Sequence, residues 1–384
     1  MLMKWAIAML SMTSLAAFAA NDAAPFQKLA QQATEARRAD RLSEAIGFYR
    51  KAVERRPNWS DGWWWLGSIY YDQDLYAEAR EAFAKSVAGG EKPMPAYAFL
   101  GLCEYEMRDY AEAREHLSKW LAAGTPGDVQ LVTVARFRWE QLLIQDGRFF
   151  EALQMLNQDV QAHGPNPSSI ETMGLAWMQI KNVAEDYPPE QREMVWLAGS
   201  AAASMSVGKM DRCREFLDRL TSQYGDRANV HFLRGFVDES VKDADRAISE
   251  YKKELTITPQ ATAPMIQLAL LFADNGEQEE ALTFGRQAVS LEPSNARSHY
   301  ALGRALLASD KWADSTAEFE KAKALAPNAS KIRFQLARTY RKLGRPDDAK
   351  REDAAFETLS KKEQSGSTSS DPSRLKQRWQ ERQP

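Results

Sequence analysis

Histidine and cysteine carry much of the nucleophilic, acid–base and metal chemistry available to a protein near neutral pH. This chain has four of the first and two of the second in 384 residues. His116 and His163 have no partner nearby in sequence, and His231 and His299 each fall at the large-residue position of a helical pattern, where packing accounts for them better than ligation. Cys103 and Cys213 also lie inside helical patterns, far apart along the chain, and read as small core residues and not as a bridge. The acid pairs Glu279-Glu280 and Asp347-Asp348 stand at helix starts, where carboxylates complement the helix dipole, which leaves general acid–base chemistry the weaker reading. No GxxxxGK[ST], GxGxxG, HExxH or GxSxG segment is present to cradle phosphate, hold a metal or present a nucleophile. The expectation is a chain that is not an enzyme, with no catalytic, metal or cofactor site. Asn58-Trp59-Ser60 and Asn328-Ala329-Ser330 match the glycosylation sequon, but each follows a proline in a turn, where Asn is common anyway.

The elements that would have to position any site are helices in a periodic arrangement. With 44% hydrophobic residues, 27% charged residues and a net charge of -3, the composition is that of a folded soluble protein, with no basic bias toward nucleic acid. Pro259, Pro293 and Pro327 are spaced by 34 residues, and each ends a pattern of two helices. The clearest copy reads Trp63, Leu66, Gly67, Tyr70, Ala79 and Phe83. Leu302, Gly303, Leu306, Phe319 and Ala322 repeat it ahead of Pro327, and Leu268, Ala269, Phe272, Ala281 and Ala288 ahead of Pro293. Partial copies carry Ala45, Tyr49 and Ala52; Tyr97, Leu100, Gly101 and Ala113; and Gly235, Ala247 and Tyr251. Small residues let two antiparallel helices approach, large ones fill what space remains, and proline stops the second helix.

On these residues the chain resembles the tetratricopeptide repeat family over about Phe26 to Leu359. The resemblance implies an all-α fold, a right-handed α-solenoid of helix-turn-helix repeats with a concave side, divergent in the middle between about Val129 and Arg227. There a helix with Trp139 and Leu142 leads to Ala152 and Leu156 without the usual Gly. A further helix is expected from about Ile170 to Ala184 before Pro188-Pro189, and an apolar run from Met194 to Met205 follows. The expected organisation is an N-terminal arm over 26–165, a divergent helical segment over 166–227 acting as a bend, a regular C-terminal array with its capping helix over 228–362, and a disordered tail over 363–384. In that tail Leu375 and Trp379 are spaced for one helix face.

In this family the first helices line the concave face, which implies partner-contacting positions here. They are Trp64, Tyr71 and Tyr105 in the N-terminal arm, an aromatic stripe, and Arg297, Tyr300, Arg304, Lys331, Phe334, Arg338, Arg341 and Lys342 in the last two repeats, a basic groove with aromatic steps. The asparagines of the family's carboxylate-clamp members are missing at the matching positions. The implied partner is a protein or peptide, an acidic segment in the C-terminal groove, bound by an exported scaffold or adaptor; the alternative is a regulatory or chaperone-like subunit of an envelope enzyme or secretion complex.

The first residues, Met-Leu-Met-Lys and an apolar stretch from Trp5 to Phe18 ending in Ala17-Phe18-Ala19, read as a signal peptide over 1–19. The stretch is shorter than the ~20 residues of a spanning helix and contains Ser11, Thr13 and Ser14, so the mature chain is expected in the periplasm or secreted, without a membrane span. No Cys follows it to carry a lipid. The architecture resembles signal-bearing tetratricopeptide proteins of Gram-negative bacteria.

Overall fold

A computed structural model of the chain describes residues 25–89, 94–182 and 187–368. The expected signal peptide over 1–19 lies outside them, as do residues 369–384 of the tail with Leu375 and Trp379. Among the described residues there is no strand. Two compact units divide at Gln191 and Arg192. The first holds α1 over 25–38 with α2 Leu42–Arg55, α3 Ser60–Tyr71 with α4 Tyr76–Ala88, α5 Met94–Glu106 with α6 Tyr110–Ala122, α7 Val129–Gln145 with α8 Phe149–His163, the single helix α9 Pro167–Trp177, and a short turn of 3-10 helix, Pro189–Gln191. The second holds α10 Arg192–Ser206 with α11 Met210–Tyr224, α12 Val230–Ser240 with α13 Ala244–Ile257, α14 Thr262–Asn275 with α15 Gln278–Leu291, α16 Ala296–Ala308 with α17 Trp312–Leu325, and α18 Ser330–Lys342 with α19 Pro346–Thr368.

The chain reverses the same way within every pair. A residue of positive φ closes the first helix: Asp40, Asp74 and Arg108, then Gly147, then Gly208, Lys242, Gly276, Asp310 and Gly344. In each case the next amide reaches back five residues to a helix carbonyl, as Leu75 does to Tyr70 at 2.9 Å and Lys311 to Leu306 at 2.9 Å. This Schellman turn satisfies carbonyls that the helix end leaves open. Gly enters the left-handed region freely, whereas Arg108 and Lys242 do so at a cost of about 1 kcal/mol that the two helices they join must offset. Within each run these residues keep the 34-residue spacing; the step from Arg108 to Gly147 is five residues longer, where the loop Gly124–Asp128 precedes α7.

Helices of a pair cross at small residues. A side chain at Gly67 would meet the Phe83 ring at 2.8 Å, at Gly101 Leu117 at 2.5 Å, at Gly235 Tyr251 at 2.8 Å and at Gly303 Phe319 at 2.6 Å. Ala79, Ala113, Ala247 and Ser315 answer them from the second helices, all without solvent exposure. The Ser315 hydroxyl donates to the Gly303 carbonyl at 2.8 Å, so a polar residue is tolerated at the crossing. Phe83, Tyr251 and Phe319 are then pinned between their own pair and the first helix of the next, so each of these pairs packs on its successor.

The stretch read as divergent also contains helix pairs. α7–α8 and α10–α11 are built on the same turn, but Glu140 and Ala201 take the crossing position, and without Gly the pattern is faint in the sequence. The helix expected over Ile170 to Ala184 is displaced: α9 starts at Pro167, because Asn166 and Ser169 form a reciprocal capping box, and stops at Trp177, with Gln179 at φ 55. The last helix passes 362 and reaches Thr368, through Lys361, Lys362, Glu363 and Gln364, all good helix formers. Cys103 and Cys213 are free and buried, and burial pushes their thiols up to about 12 and about 11, which keeps them protonated.

Gly303→Val should lower stability to urea by about 1–3 kcal/mol through overpacking against Phe319. Gly47→Ala in α2, with nothing within 4 Å of the added carbon, should raise it by about 0.5–1 kcal/mol. Equal effects of the two would show that the close crossing is not what holds a pair together.

Candidate functional site

The first helices of each unit present a shared face, and their side chains differ in how much of them is left over after packing. In the first unit Trp64 meets Phe83 and Phe99 edge-on, both at 5.4 Å, and Tyr71 sits between Tyr76 at 5.6 Å and Phe99 at 5.2 Å. Both are half-buried, and desolvation pushes the Tyr71 phenol up to about 12. Tyr105 corrects the expected stripe. It is a core side chain, 6% exposed, whose hydroxyl donates to Gln141 Oε1 at 2.7 Å and whose ring is covered by the Arg138 guanidinium at 4.6 Å. It is buried because α7 packs over it. Arg138 in turn binds Glu106 at 2.8 Å. At the other end of this unit Arg37 lies 3.5 Å over the Trp65 ring.

In the second unit the expected basic residues meet acids that the sequence reading passed over. Glu239 accepts from the Tyr251 hydroxyl at 2.8 Å and from Gln267 Nε2 at 3.0 Å. Burial raises its pKa, against these hydrogen bonds and the charge of Arg297. Arg297 is reached by solvent yet enclosed by protein on this face; desolvation lowers its pKa against the opposing pull of Glu239 and Tyr251. Arg304 is paired with Asp274, and Arg341 with Asp353. Lys342 lies 5.3 Å over Trp312, Tyr300 packs on Phe319 at 5.7 Å, and the exposed Phe334 packs on Phe356 at 5.6 Å. Lys331 and Arg338 are exposed, with no acid at ion-pair distance among the described residues.

The repeat explains why Arg338 stands alone. It lies 34 residues after Arg304, and the residue 34 after Asp274 is Ala308. In the same way Gln335 lies two repeats after Gln267, but Leu307 takes the place of Glu239. Gln335 is buried at 6% exposure and its Oε1 has no partner among the described residues. The face of the last two repeats therefore offers one guanidinium and one ammonium whose counterparts earlier in the unit, Arg304 and Arg297, lie beside the acids Asp274 and Glu239. Glu239 and Asp274 were legible as acids at the inward positions of α12 and α14, had all repeats been read in one register.

Three of the four histidines bind acids within their own helix pairs, and His299 also reaches the joint before it. His299 places Nε2 2.8 Å from the Pro293 carbonyl and Nδ1 2.6 Å from Glu318, and His231 places Nδ1 2.5 Å from Glu250. Trp63 Nε1 donates to the Pro57 carbonyl at 2.7 Å, and Arg333 Nη2 to that of Pro327 at 3.0 Å, from the same repeat position. His116 binds the buried Glu104 at 2.7 Å. No group of three His, Cys, Asp or Glu side chains that could hold a metal ion occurs among the described residues.

Paired antiparallel helices with one turn geometry and one crossing, stacked within each unit, define a helix-pair repeat protein. The chain carries tetratricopeptide repeats: that family's repeat matches residues 31–93 and 266–330. It is 32% identical over 99 residues to a probable biofilm formation methyltransferase, WspC, of Pseudomonas putida, covering 24% of this chain and 23% of the relative. It is 24% identical over 115 residues to small glutamine-rich tetratricopeptide repeat-containing protein 2 of Mycosarcoma maydis, covering 30% and 33%. The chain thus spans a quarter to a third of the length of these curated relatives. Among solved structures it is similar to MamA from Desulfovibrio magneticus RS-1, with a TM-score of 0.40, 16% identity, and 44% of this chain and 96% of the other covered. No described helix is long and apolar enough to cross a membrane.

The His299–Glu318 contact has a pH signature. Burial alone would raise Glu318, but hydrogen bonds from Lys321 and His299 outweigh it and hold the carboxyl below its ordinary 4.5. A depressed carboxyl contributes stability above its unfolded pKa and loses it as pH falls through the folded one. Glu318→Gln should therefore cost about 1–2 kcal/mol at pH 7, by thermal or urea unfolding, with the difference shrinking as pH falls below about 4.5. A difference that persists at pH 3 would show that the charge is not what Glu318 supplies.

Proposed function

We propose that this protein is an exported scaffold that binds a polypeptide partner along the first-helix face of its second unit, and that the partner places a carboxylate against Lys331 and Arg338. The single observation that supports the ligand's charge is the loss of the internal acid at Ala308, where the preceding repeat has Asp274 to neutralise Arg304. An exposed guanidinium with no internal partner, next to the exposed ring of Phe334, fits an acidic side chain followed by an apolar one. The tetratricopeptide repeats themselves support a protein–protein interaction role and not catalysis. Export rests on the reading of residues 1–19, and a periplasmic or secreted location follows from it.

Binding of an extended peptide of alternating Glu and Leu, followed by calorimetry, tests the site. Arg338→Glu with Lys331→Glu should weaken it at least tenfold, a loss of about 1.4 kcal/mol, and added salt should weaken it in the wild type. Arg304→Gln should change it less, because Arg304 is already held by Asp274. Undiminished affinity in the double variant sinks the site. Export is checked separately by fusing residues 1–24 to a reporter that is active only when its disulfides form outside the cytoplasm; an inactive, uncleaved fusion refutes it.

A further inference from the structure

α7 breaks the crossing rule. Glu140 stands twelve residues before Ala152 and seven before the positive-φ turn residue Gly147, as Gly303 stands before Ser315 and Asp310, so a carboxyl occupies the point where other pairs admit only Gly or Ala. Glu140 is 1% exposed, and its Oε1 has no hydrogen-bond partner among the described residues. The acid that acts on it across the pair is Asp159 of α8, which is held by Arg136 Nη2 at 3.1 Å. Two carboxyls in such contact need one proton between them. Glu140 is the fully buried member, and burial disfavours its charged form, so the proton rests there. The charged groups that act on Glu140 are Asp159 from α8 and Arg136 from α7 itself; among the described residues α5, α6 and α9, which also pack on α7, supply none.

We infer that the Glu140–Asp159 contact is a proton-dependent latch, closing α7 on α8 and opening when Glu140 ionises. The adjacent Gln141 accepts from the Tyr105 hydroxyl at 2.7 Å and from Arg138 at 3.0 Å, so opening would also release the side chains that α7 holds against the first-helix face of this unit. Burial, reinforced by Asp159, pushes the Glu140 carboxyl up to about 9, far above its ordinary 4.5. The folded pair thus keeps a proton that the open pair releases. Its closure is most favoured at low pH and weakens as pH rises toward 9, with an opening constant that climbs by up to about tenfold per pH unit for one linked proton.

Amide hydrogen exchange of the full chain between pH 6 and 8, corrected for intrinsic rates, reads this directly. Opening of α7–α8 should climb by up to about tenfold per unit relative to α3–α4 in the same sample. Glu140→Gln, which keeps the size without the charge, should remove the climb, and Asp159→Asn should make it shallower. An identical slope in wild type and Glu140→Gln overturns the latch, as does a uniform loss of protection without pH dependence. If the variants do not fold, carbon-13 spectra of glutamate-labelled wild type decide: a carboxyl titrating above pH 7 is expected, and its absence refutes the proposal.

Discussion

The close crossing of two antiparallel helices at a pair of small side chains is the constraint on which this structure is built. With a Cβ at Gly303 only 2.6 Å from the Phe319 ring, there is no slack at that point, and the angle and offset of each pair follow. The large residue pinned beneath the crossing then meets the next first helix, so one pair cannot bury its own apolar surface and must be followed by another. Phe83, stacked at 4.9 Å on Phe99 of the following pair, shows the step from local packing to a stack. What remains exposed on the first helices is what that packing leaves over.

Because the scaffold repeats, differences between equivalent positions carry the information. Arg304 and Arg338 are the same residue at the same place, yet one is neutralised by Asp274 and the other faces the position held by Ala308. Gln267 Nε2 donates to Glu239, while Leu307 stands at the position from which an acid would meet Gln335. A charged side chain matched by an internal acid contributes to the stack; one whose match has been removed is left without compensation from within it. Tyr105 shows the opposite case, an aromatic at an inward position absorbed into the core because Gln141 and Arg138 cover it.

Glu140 extends the same logic into the interior. At a crossing where other pairs have a hydrogen atom or a methyl group, burial keeps the Glu140 carboxyl neutral. His231 and His299 are the contrasting solution, polar rings whose nitrogens are met by Glu250, Glu318 and a proline carbonyl at the joint between repeats. In both cases the chemistry that the residue type suggests is used up in holding the stack.

The sequence alone determined the helix pairs, their period and their contact residues wherever a residue is unusual in type. Gly67 and Gly303, the aromatics Phe83 and Phe319, and the prolines Pro57, Pro259, Pro293 and Pro327 leave a mark because no other side chain does the same work at those points. Where Glu140 and Ala201 replace Gly, the mark fades although the turn and the pair persist, since turn geometry is enforced by helices on both sides and not by one residue. Only the tertiary structure decided which inward side chains are spare. Whether Arg297, Arg304 or Arg338 is matched depends on a carboxylate about thirty to sixty residues away that the stacking brings alongside, and the state of Glu140 depends on Asp159 across a helix pair. Charge pairing and desolvation act through space over a few ångströms, so they are set by the packing and not by the local pattern.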